Sequence, residues 1–333
     1  MENLTHTLTG LMIARAGFGR RVPGAAAICI LAANAPDVDI VWAFAGSHVY
    51  LEQHRGVTHS ILASPLLAVL CATVVRLVVR TPFPWLLAFC AALTAGVSHL
   101  LLDWTNVYGI RLLEPFSDDW YRADIASVVD PYLWLLFAAC ALWPALGRLV
   151  NQEIGARTQY GTGSARTALV VVVLYMSARG MLHERALASM NARLYDGQDA
   201  LRTAAFPHLA NPFQWTGLID LPASYRIVPV SLLTEFDPEA GKILYKGAEY
   251  SKPSLVAAES RPFQSLIQFA PYLFWQTGGD LVPGEVLTVE ANDLRFGLPG
   301  EGRFTARALL KQDLTILKSE FQFTAPGKLP QIR

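Results

Sequence analysis

Residues 24–45 read GAAAICILAANAPDVDIVWAFA, an apolar run that is interrupted by one proline and two aspartates. A hydrocarbon core of about 30 Å needs roughly 20 mainly apolar residues in a helix, so this run is long enough to cross a membrane. Pro36 deletes one backbone donor and disfavours helical geometry at Ala35. A kinked helix ending in two solvated acids is one interpretation, although an unpaired Asp is among the costliest residues at membrane depth. The sequence therefore predicts a membrane helix that breaks at Pro36 and lets Asp37 and Asp39 converge on one centre.

The chain as a whole divides into an apolar part and a polar part. Of its 333 residues, 53% are hydrophobic and 16% are charged, whereas an ordinary soluble domain carries about 25% charged residues. The apolar excess lies before residue 183, in long runs at residues 24–45, 61–79, 83–102, 131–149 and 167–182 and in a shorter run at residues 4–18. The short run fits a half-span, a re-entrant piece or an interfacial helix. We predict an α-helical polytopic membrane bundle over residues 1–182, with five long helices plus one short N-terminal helix.

Residues 183–333 have the composition of a mainly β soluble domain that lies outside the membrane. A helix over residues 182–201 is predicted to continue the last span outward. Strand candidates follow at residues 225–233, 243–250, 266–274, 286–291, 294–298, 304–310 and 314–323. The segment DPEAG at residues 237–241 is a turn signal between two of these strands.

The positions of arginine predict how the helices are oriented, because short cytoplasmic loops are enriched in Lys and Arg. Arginines concentrate in alternate connections, namely those that hold Arg20, Arg21, Arg76, Arg80, Arg148, Arg157 and Arg166. We therefore expect a multi-pass protein of a bacterial-type inner (plasma) membrane, surrounded by the lipid bilayer. The β domain is expected on the outer, periplasmic side.

Charge and motifs argue against several classes of protein. Lys plus Arg and Asp plus Glu both number 27, so there is no net basic field of the kind that attracts nucleic acid. The sequence contains no Gly-x-Ser-x-Gly elbow, P-loop or Gly-x-Gly-x-x-Gly motif, which leaves serine hydrolases and nucleotide-binding enzymes without support. We expect no nucleic-acid partner.

Two further motifs place histidine and aspartate close to the apolar runs. The segment HRGVTHS at residues 54–60 presents His54 and His59 around a glycine that permits a tight turn. His99 and Asp103 are four residues apart, so on a helix they project from one face. Either motif alone has an ordinary explanation, since two loop histidines are often incidental and a His/Asp hydrogen bond can cap a helix.

The predicted orientation brings these motifs to one side of the membrane. His6 joins them if the short first helix runs from outside to inside, and Asp130 is a further candidate at the start of a helix. Imidazoles and carboxylates together suit zinc or another divalent first-row ion. The predicted metal ligands are His6, Asp37, Asp39, His54, His59, His99 and Asp103.

This donor set predicts hydrolytic chemistry, because such ions lower the pKa of bound water to about 7. We assign catalytic roles to Asp39, Arg55 and Asp103. Arg55 is expected to bind a phosphate or carboxylate oxygen of the substrate through its planar guanidinium. A membrane binding or regulatory protein with a structural metal is the alternative. A glycosyltransferase that uses Asp37 and Asp39 as its Asp-x-Asp pair is weaker, because it leaves the histidines unexplained.

The same motifs resemble those of a known family. The segments THT at residues 5–7, APDVD at 35–39, HRGVTHS at 54–60 and SHLLLD at 98–103 are similar in order and spacing to the YdjM-type membrane-bound metal-dependent hydrolases. The block VEANDLRF at residues 289–296 resembles the tail of longer members, and the His and Asp order is more weakly similar to zinc-dependent phospholipase C enzymes. The resemblance implies a multi-spanning membrane protein with a hydrolase site. Our own hypothesis for the substrate of that site is a lipid-like or amphipathic ester or phosphoester.

Overall fold

The N-terminal half of the protein is helical. The structure, a computed structural model, describes residues 1–154, 161–278, 286–300 and 303–323. Its first seven α-helices are α1 Asn3–Ile13, α2 Ala25–Asn34, α3 Ser47–Gln53, α4 Ala63–Val78, α5 Trp85–Trp104, α6 Pro131–Ile154 and α7 Thr162–Asn191. A π-helical turn, Ala14–Phe18, follows α1, and two 3-10 helices, Pro36–Ala45 and Val57–His59, lie on either side of α3.

The predicted break at Pro36 is confirmed. Helix α2 ends at Asn34, and Pro36 begins the 3-10 helix Pro36–Ala45, whose axis is bent by 44° from that of α2. Proline has no backbone N–H to donate, so the α-helical ladder cannot continue through it. The bend leaves Asp39 buried and Asp37 only slightly exposed.

The helical membrane half is confirmed, but the number of long helices is not the predicted five. Within the described ranges, α5 and α7 are long and apolar enough to cross a membrane. The total rises to four spans if each bent pair counts as one, namely α2 with Pro36–Ala45, and Ser47–His59 with α4, which meet at 78°. Helix α6 is apolar over Pro131–Trp143, the part of it whose side chains are described. The bend at Pro36 was predicted, whereas the bend between Ser47–His59 and α4 was not.

The C-terminal part contains two antiparallel sheets of four strands each. The first has the order β1 Arg202–Pro207, β2 Gln214–Asp220, β3 Ser224–Ser231 and β4 Lys242–Tyr245. The second has the order β5 Leu273–Gly278, β6 Leu287–Asp293, β7 Thr305–Leu310 and β8 Ile316–Gln322. Helices α8 Lys252–Ala258 and α9 Arg261–Phe269 connect the two sheets. The prediction of a mainly β domain is confirmed, and residues 237–241 do lie between the paired strands β3 and β4.

Three local predictions in this part were wrong. Residues 266–274 do not form one strand, because α9 continues to Phe269 before β5 begins. The apolar residues Phe263, Leu266 and Phe269 fall three apart and are all buried, which is the spacing of a helix face. Residues 294–298 form a turn after β6, and the helix expected over residues 182–201 ends at Asn191. Strands β1 and β2 were not predicted.

Small side chains let α1, α2 and α5 approach closely. A Cβ atom built on Gly10 of α1 would lie 2.6 Å from the carbonyl oxygen of Cys29 in α2. Ala91 and Ala95 of α5 are fully buried in the same core. The close approach of these helices brings His6, the residues after α2 and the end of α5 to one place.

The β domain shares its core with the helical half. Leu51 of α3 and Tyr108 of the connection after α5 belong to the same apolar core as α9 and the second sheet. Glu52 also accepts a hydrogen bond from the hydroxyl of Ser265, at 2.6 Å. The second sheet and α9 are thus packed directly against the segments that carry the His and Asp motifs.

Candidate metal centre

Four side chains each place one donor atom around a common point. Nε2 of His59 lies 3.1 Å from Nε2 of His99 and 3.4 Å from Oδ1 of Asp37. Oδ2 of Asp103 lies 3.6 Å and 3.5 Å from the same two imidazole nitrogens. Tetrahedral ligand bonds of about 2.0–2.2 Å put neighbouring donor atoms roughly 3.3–3.6 Å apart. Nε2 of His99 lies 3.8 Å from Oδ1 of Asp37, so these donor pairs, 3.1–3.8 Å apart, have close to the spacing of a tetrahedral metal site.

Each of these donors is positioned by a short local feature of the sequence. Asp37 lies in the first turn of the helix that begins at Pro36. His59 ends the 3-10 helix Val57–His59, directly after the turn at Gly56. His99 and Asp103 share one face near the end of α5, as their spacing predicted. The predicted convergence of the three motifs is thus present in the structure.

Hydrogen bonds on the far side of each imidazole orient Nε2 toward this point. Nδ1 of His99 lies 2.7 Å from the carbonyl oxygen of Ala33, which can only accept, so Nδ1 holds the proton and Nε2 keeps a lone pair. Nδ1 of His59 lies 3.2 Å from Oδ2 of Asp39. A carboxylate or carbonyl behind a ligating histidine is the usual way in which proteins fix its tautomer and ring direction.

Asp39 has the contacts of an orienting carboxylate. Its Oδ1 lies 2.8 Å from Nδ1 of His54, and its Oδ2 accepts from the backbone N–H of Arg55 at 2.9 Å and from the hydroxyl of Thr58 at 3.1 Å. Asp37, Asp39 and His54 also form a second group whose donor atoms lie within 4.8 Å of one another. The prediction that Asp39 and His54 bind metal, and that Asp39 is catalytic, stays a prediction.

His6 lies beside the four donors, whereas Asp130 does not. The ring of His6 stacks on that of His99 with centroids 3.8 Å apart, and its Nε2 is 3.3 Å from Oδ1 of Asp103. The amino group of Met1 contacts the same carboxylate. Asp130 instead accepts hydrogen bonds from the first turn of α6 and from the hydroxyl of Tyr175, so its role there is to cap a helix.

Arg55 is buried in the site and pairs with one of the donors. Its Nε lies 3.1 Å from Oδ2 of Asp103, and its Nη1 donates to Oδ1 of Asn106 at 3.0 Å and to the carbonyl of Gly109 at 3.2 Å. The guanidinium also lies over the ring of Tyr108, 4.7 Å from the ring centroid. Burial raises the pKa of Tyr108, so its hydroxyl stays protonated at neutral pH. The predicted role of Arg55 in substrate binding stays a prediction.

Three further residues of the site, Asn106, Tyr108 and Gly109, were not predicted from the sequence. These residues follow α5 in the segment TNVYG at residues 105–109, and nothing in their spacing marks them as neighbours of a metal site. A polar residue and a glycine just after a helix are common helix-ending signals. Their importance depends on contacts with Arg55, which lies about fifty positions away in the sequence.

The residues present fit a divalent cation. Oδ2 of Asp37 is buried without a hydrogen-bond donor among the described residues. Both carboxylate oxygens of Asp103 are buried as well, and they contact the amino group of Met1, the ring of His6 and the guanidinium of Arg55. The side chains of Asp37, Asp39 and Asp103 bring three carboxylates together, and the guanidinium of Arg55 and the amino group of Met1 both lie against that of Asp103. Because an uncompensated buried carboxylate is costly, such a cluster calls for additional positive charge. Histidine and carboxylate donors suit zinc and other first-row divalent ions.

These features define a membrane protein whose helical half carries a buried His/Asp cluster able to hold a metal ion, with a β domain packed against it. The family model of the YdjM inner membrane protein matches residues 1–186, and the chain belongs to that family. The resemblance noted in the sequence is thereby confirmed. The match ends within α7, before the first strand of the β domain.

One curated relative is similar over part of the chain. The uncharacterized protein YfhP of Bacillus subtilis (strain 168) is 30% identical over 156 residues, which are 44% of this chain and 47% of the relative. The chain thus spans about half the length of the curated relative that it matches. No solved structure matches the chain.

Proposed function

We propose that this protein is a membrane-embedded metal-dependent hydrolase that cleaves a lipid-like ester or phosphoester. The observation that carries the proposal is the convergence of Asp37, His59, His99 and Asp103 at metal-ligand spacing. A divalent ion held there, zinc being the ion we favour, supplies an activated water and polarises the substrate oxygen.

The residues around the donors divide the remaining tasks. Asp39 orients His59 and His54 through the Nδ1 atoms of their rings. Nε2 of His54 is left available to take or give a proton, in the manner of a His–Asp pair in general acid–base catalysis. Arg55 balances the charge of Asp103.

Exposure and surface character support a lipid-like substrate. His59, His99 and Asp103 have fully buried side chains, whereas Asp37 and His54 are 12% and 13% exposed, so the site opens on their side. The helix that begins at Pro36 carries exposed large apolar side chains directly after Asp37, namely Val38, Ile40, Val41, Trp42 and Phe44. In a membrane this surface faces acyl chains, and a substrate that approaches along it needs an apolar part of its own.

Turnover by the purified protein tests the proposal. Detergent-purified protein should be offered fluorogenic phosphodiesters, phosphomonoesters and carboxylic esters, each with a long and a short acyl chain, with added zinc or with a chelator. We expect metal-dependent hydrolysis of a long-chain substrate, and we expect the His99→Ala variant to lose at least about a hundredfold of that rate.

A structural metal is the second candidate function. All four proposed ligands come from the protein, and sites with four protein ligands are typical of structural zinc, whereas catalytic sites keep one position open. Stoichiometric metal without turnover of any of these probes would favour a binding or regulatory protein over a hydrolase.

We also propose that the β domain lies on the outer, periplasmic side of the membrane. The arginine distribution supports this orientation. Two single cysteines should test it, in a background in which the four native cysteines are replaced by alanine. Phe116→Cys lies in the connection between α5 and α6, where Phe116 is 82% exposed, and Gly163→Cys lies at the start of α7 with open space around it.

A membrane-impermeant maleimide applied to intact cells should label Phe116→Cys and leave Gly163→Cys unlabelled until the membrane is opened. A phosphatase fused after Arg333 should be active. The reverse labelling pattern would show that the protein has the opposite orientation in the membrane, with the metal centre on the cytoplasmic side.

A further inference from the structure

A buried ion pair in the second sheet reaches across to the helical half. Asp293 ends β6, Arg295 follows two residues later, and both side chains have no exposed surface. Nε and Nη2 of Arg295 donate to Oδ2 of Asp293 at 2.9 Å and 2.6 Å. The carboxylate thus holds the guanidinium in one orientation, and the remaining N–H groups of Arg295 must find acceptors elsewhere.

Those remaining groups bind two backbone carbonyls from different parts of the chain. Nη1 of Arg295 donates to the carbonyl of Val107 at 3.0 Å, and Nη2 donates to the carbonyl of Phe269 at 3.2 Å. Phe269 belongs to α9 of the β domain, but Val107 lies in the connection that follows α5. The guanidinium therefore ties the end of α5 to the β domain.

The segment that Arg295 binds is the one that holds Arg55. Asn106, which precedes Val107, is fully buried, and its Oδ1 accepts from Nη1 of Arg55 and from the backbone N–H of Tyr108 at 2.9 Å. The carbonyl of Gly109 accepts from the same Nη1. A shift of this short segment would therefore move both acceptors of the Arg55 guanidinium.

Aromatic contacts also connect the β domain to the partners of Arg55. The ring of Tyr108 lies under the guanidinium of Arg55 and also packs against the ring of Phe269, with ring centroids 4.7 Å apart. Phe269 in turn lies under the guanidinium of Arg295, 4.4 Å from it. The β domain thus contacts the partners of Arg55 through both polar and apolar groups.

We propose that the Asp293–Arg295 pair is a positioning device for the metal centre. By fixing Val107, it holds Asn106 and Gly109 where they keep Arg55 against Asp103, and so it sets the direction of a donor carboxylate. The inference rests on the proposed metal centre. It assigns the β domain a part in metal binding, although the domain contributes no ligand among its described residues.

Cobalt binding measures this effect without any substrate. Co²⁺ replaces zinc at His and carboxylate sites, and its visible absorption reports the number and geometry of its ligands. The full-length protein, with any affinity tag removed, should be titrated with Co²⁺ in detergent alongside two variants, Arg295→Met and Arg226→Met. Arg226 is the matched control, because it is a buried arginine of the first sheet that pairs with Asp196 and Glu239.

We expect Arg295→Met to weaken Co²⁺ binding by about tenfold and to change the absorption bands, the loss typical of residues that orient metal ligands. Arg226→Met should bind within about twofold of the unaltered protein. Equal affinity and identical bands in Arg295→Met would overturn the inference. Failure of the unaltered protein to bind Co²⁺ would overturn the metal centre itself, and the inference with it.

A second variant keeps the test decisive if Arg295→Met does not fold. Asn106→Ala leaves the Asp293–Arg295 pair intact and removes one of the two acceptors of the Arg55 guanidinium, together with the acceptor of the backbone N–H groups of Tyr108 and Gly109. It should reproduce the weakened Co²⁺ binding and the altered bands. Unchanged Co²⁺ binding in Asn106→Ala would show that the contacts of the segment after α5 with Arg55 do not affect metal binding. That result would overturn the inference.

Discussion

The His59→Ala and Asp37→Asn variants are each expected to lose metal affinity by at least about a hundredfold, because loss of a direct ligand should exceed the 10–100-fold cost of losing a group that only orients one. His59 is fully buried, and its Nε2 lies within 3.6 Å of the other three donor atoms. Its removal leaves three donors and a space that water can fill only in part. Asp37→Asn keeps the shape of the side chain but removes the negative charge that a divalent ion needs.

Elemental analysis of the purified variants, with competition against a chelator of known affinity, measures this loss. His183→Ala is the matched control, because His183 lies in α7 against the ring of Trp215 and belongs to neither donor group. It should retain the metal content of the unaltered protein. Full metal occupancy in both His59→Ala and Asp37→Asn would rule out the site as drawn.

Replacement of Arg55 by methionine should destabilise the metal-free protein by about 3–5 kcal/mol, the usual cost of removing one partner of a buried ion pair. The side chains of Arg55 and Asp103 are 4% and 0% exposed, so the carboxylate would be left buried without its guanidinium. Added zinc should recover part of this loss, because the ion supplies positive charge to the same carboxylate. The stability of Arg55→Lys should lie between that of the unaltered protein and that of Arg55→Met. Lysine keeps the positive charge but lacks the planar guanidinium whose N–H groups reach Asn106 and Gly109.

These expectations can be tested by measuring the unfolding of the unaltered protein and the two variants in detergent, once with zinc and once with a chelator. Arg193→Met is the control, because its pair with Glu235 is exposed and should contribute no more than about 1 kcal/mol. The sequence suggests a different outcome, in which Arg55 binds the substrate and does not hold the fold. An unchanged unfolding midpoint in Arg55→Met, together with lost turnover, would favour that role.

Much of the candidate site was predictable because charge is conspicuous in an apolar sequence. Asp37, His99 and Asp103 stand within or beside runs where an ionisable side chain is costly, so each of them suggests a function. The break in the helix at Pro36 was likewise predictable, because proline has no backbone N–H to donate. Features of this kind can be read from a few neighbouring residues.

The rest could not be predicted, because it depends on contacts between distant parts of the chain. Arg295 and Val107 are 188 positions apart, and no local pattern connects them. The prediction of a strand at residues 266–274 was wrong for a related reason. Its apolar residues suit a strand by composition, but two of them, Leu266 and Phe269, belong to the buried face of α9 against the second sheet. Only the tertiary structure decides between the two.

The contact between Arg295 and Val107 also bears on how the protein matures. Ribosomes make the helical half first, and the donor residues from Asp37 to Asp103 are all synthesised before the first strand of the β domain. If the segment after α5 takes its final place only when Arg295 reaches it, a nascent chain halted before residue 295 should capture zinc more weakly than the finished protein. Metal loading would then be one of the last steps in biogenesis, after the β domain has folded.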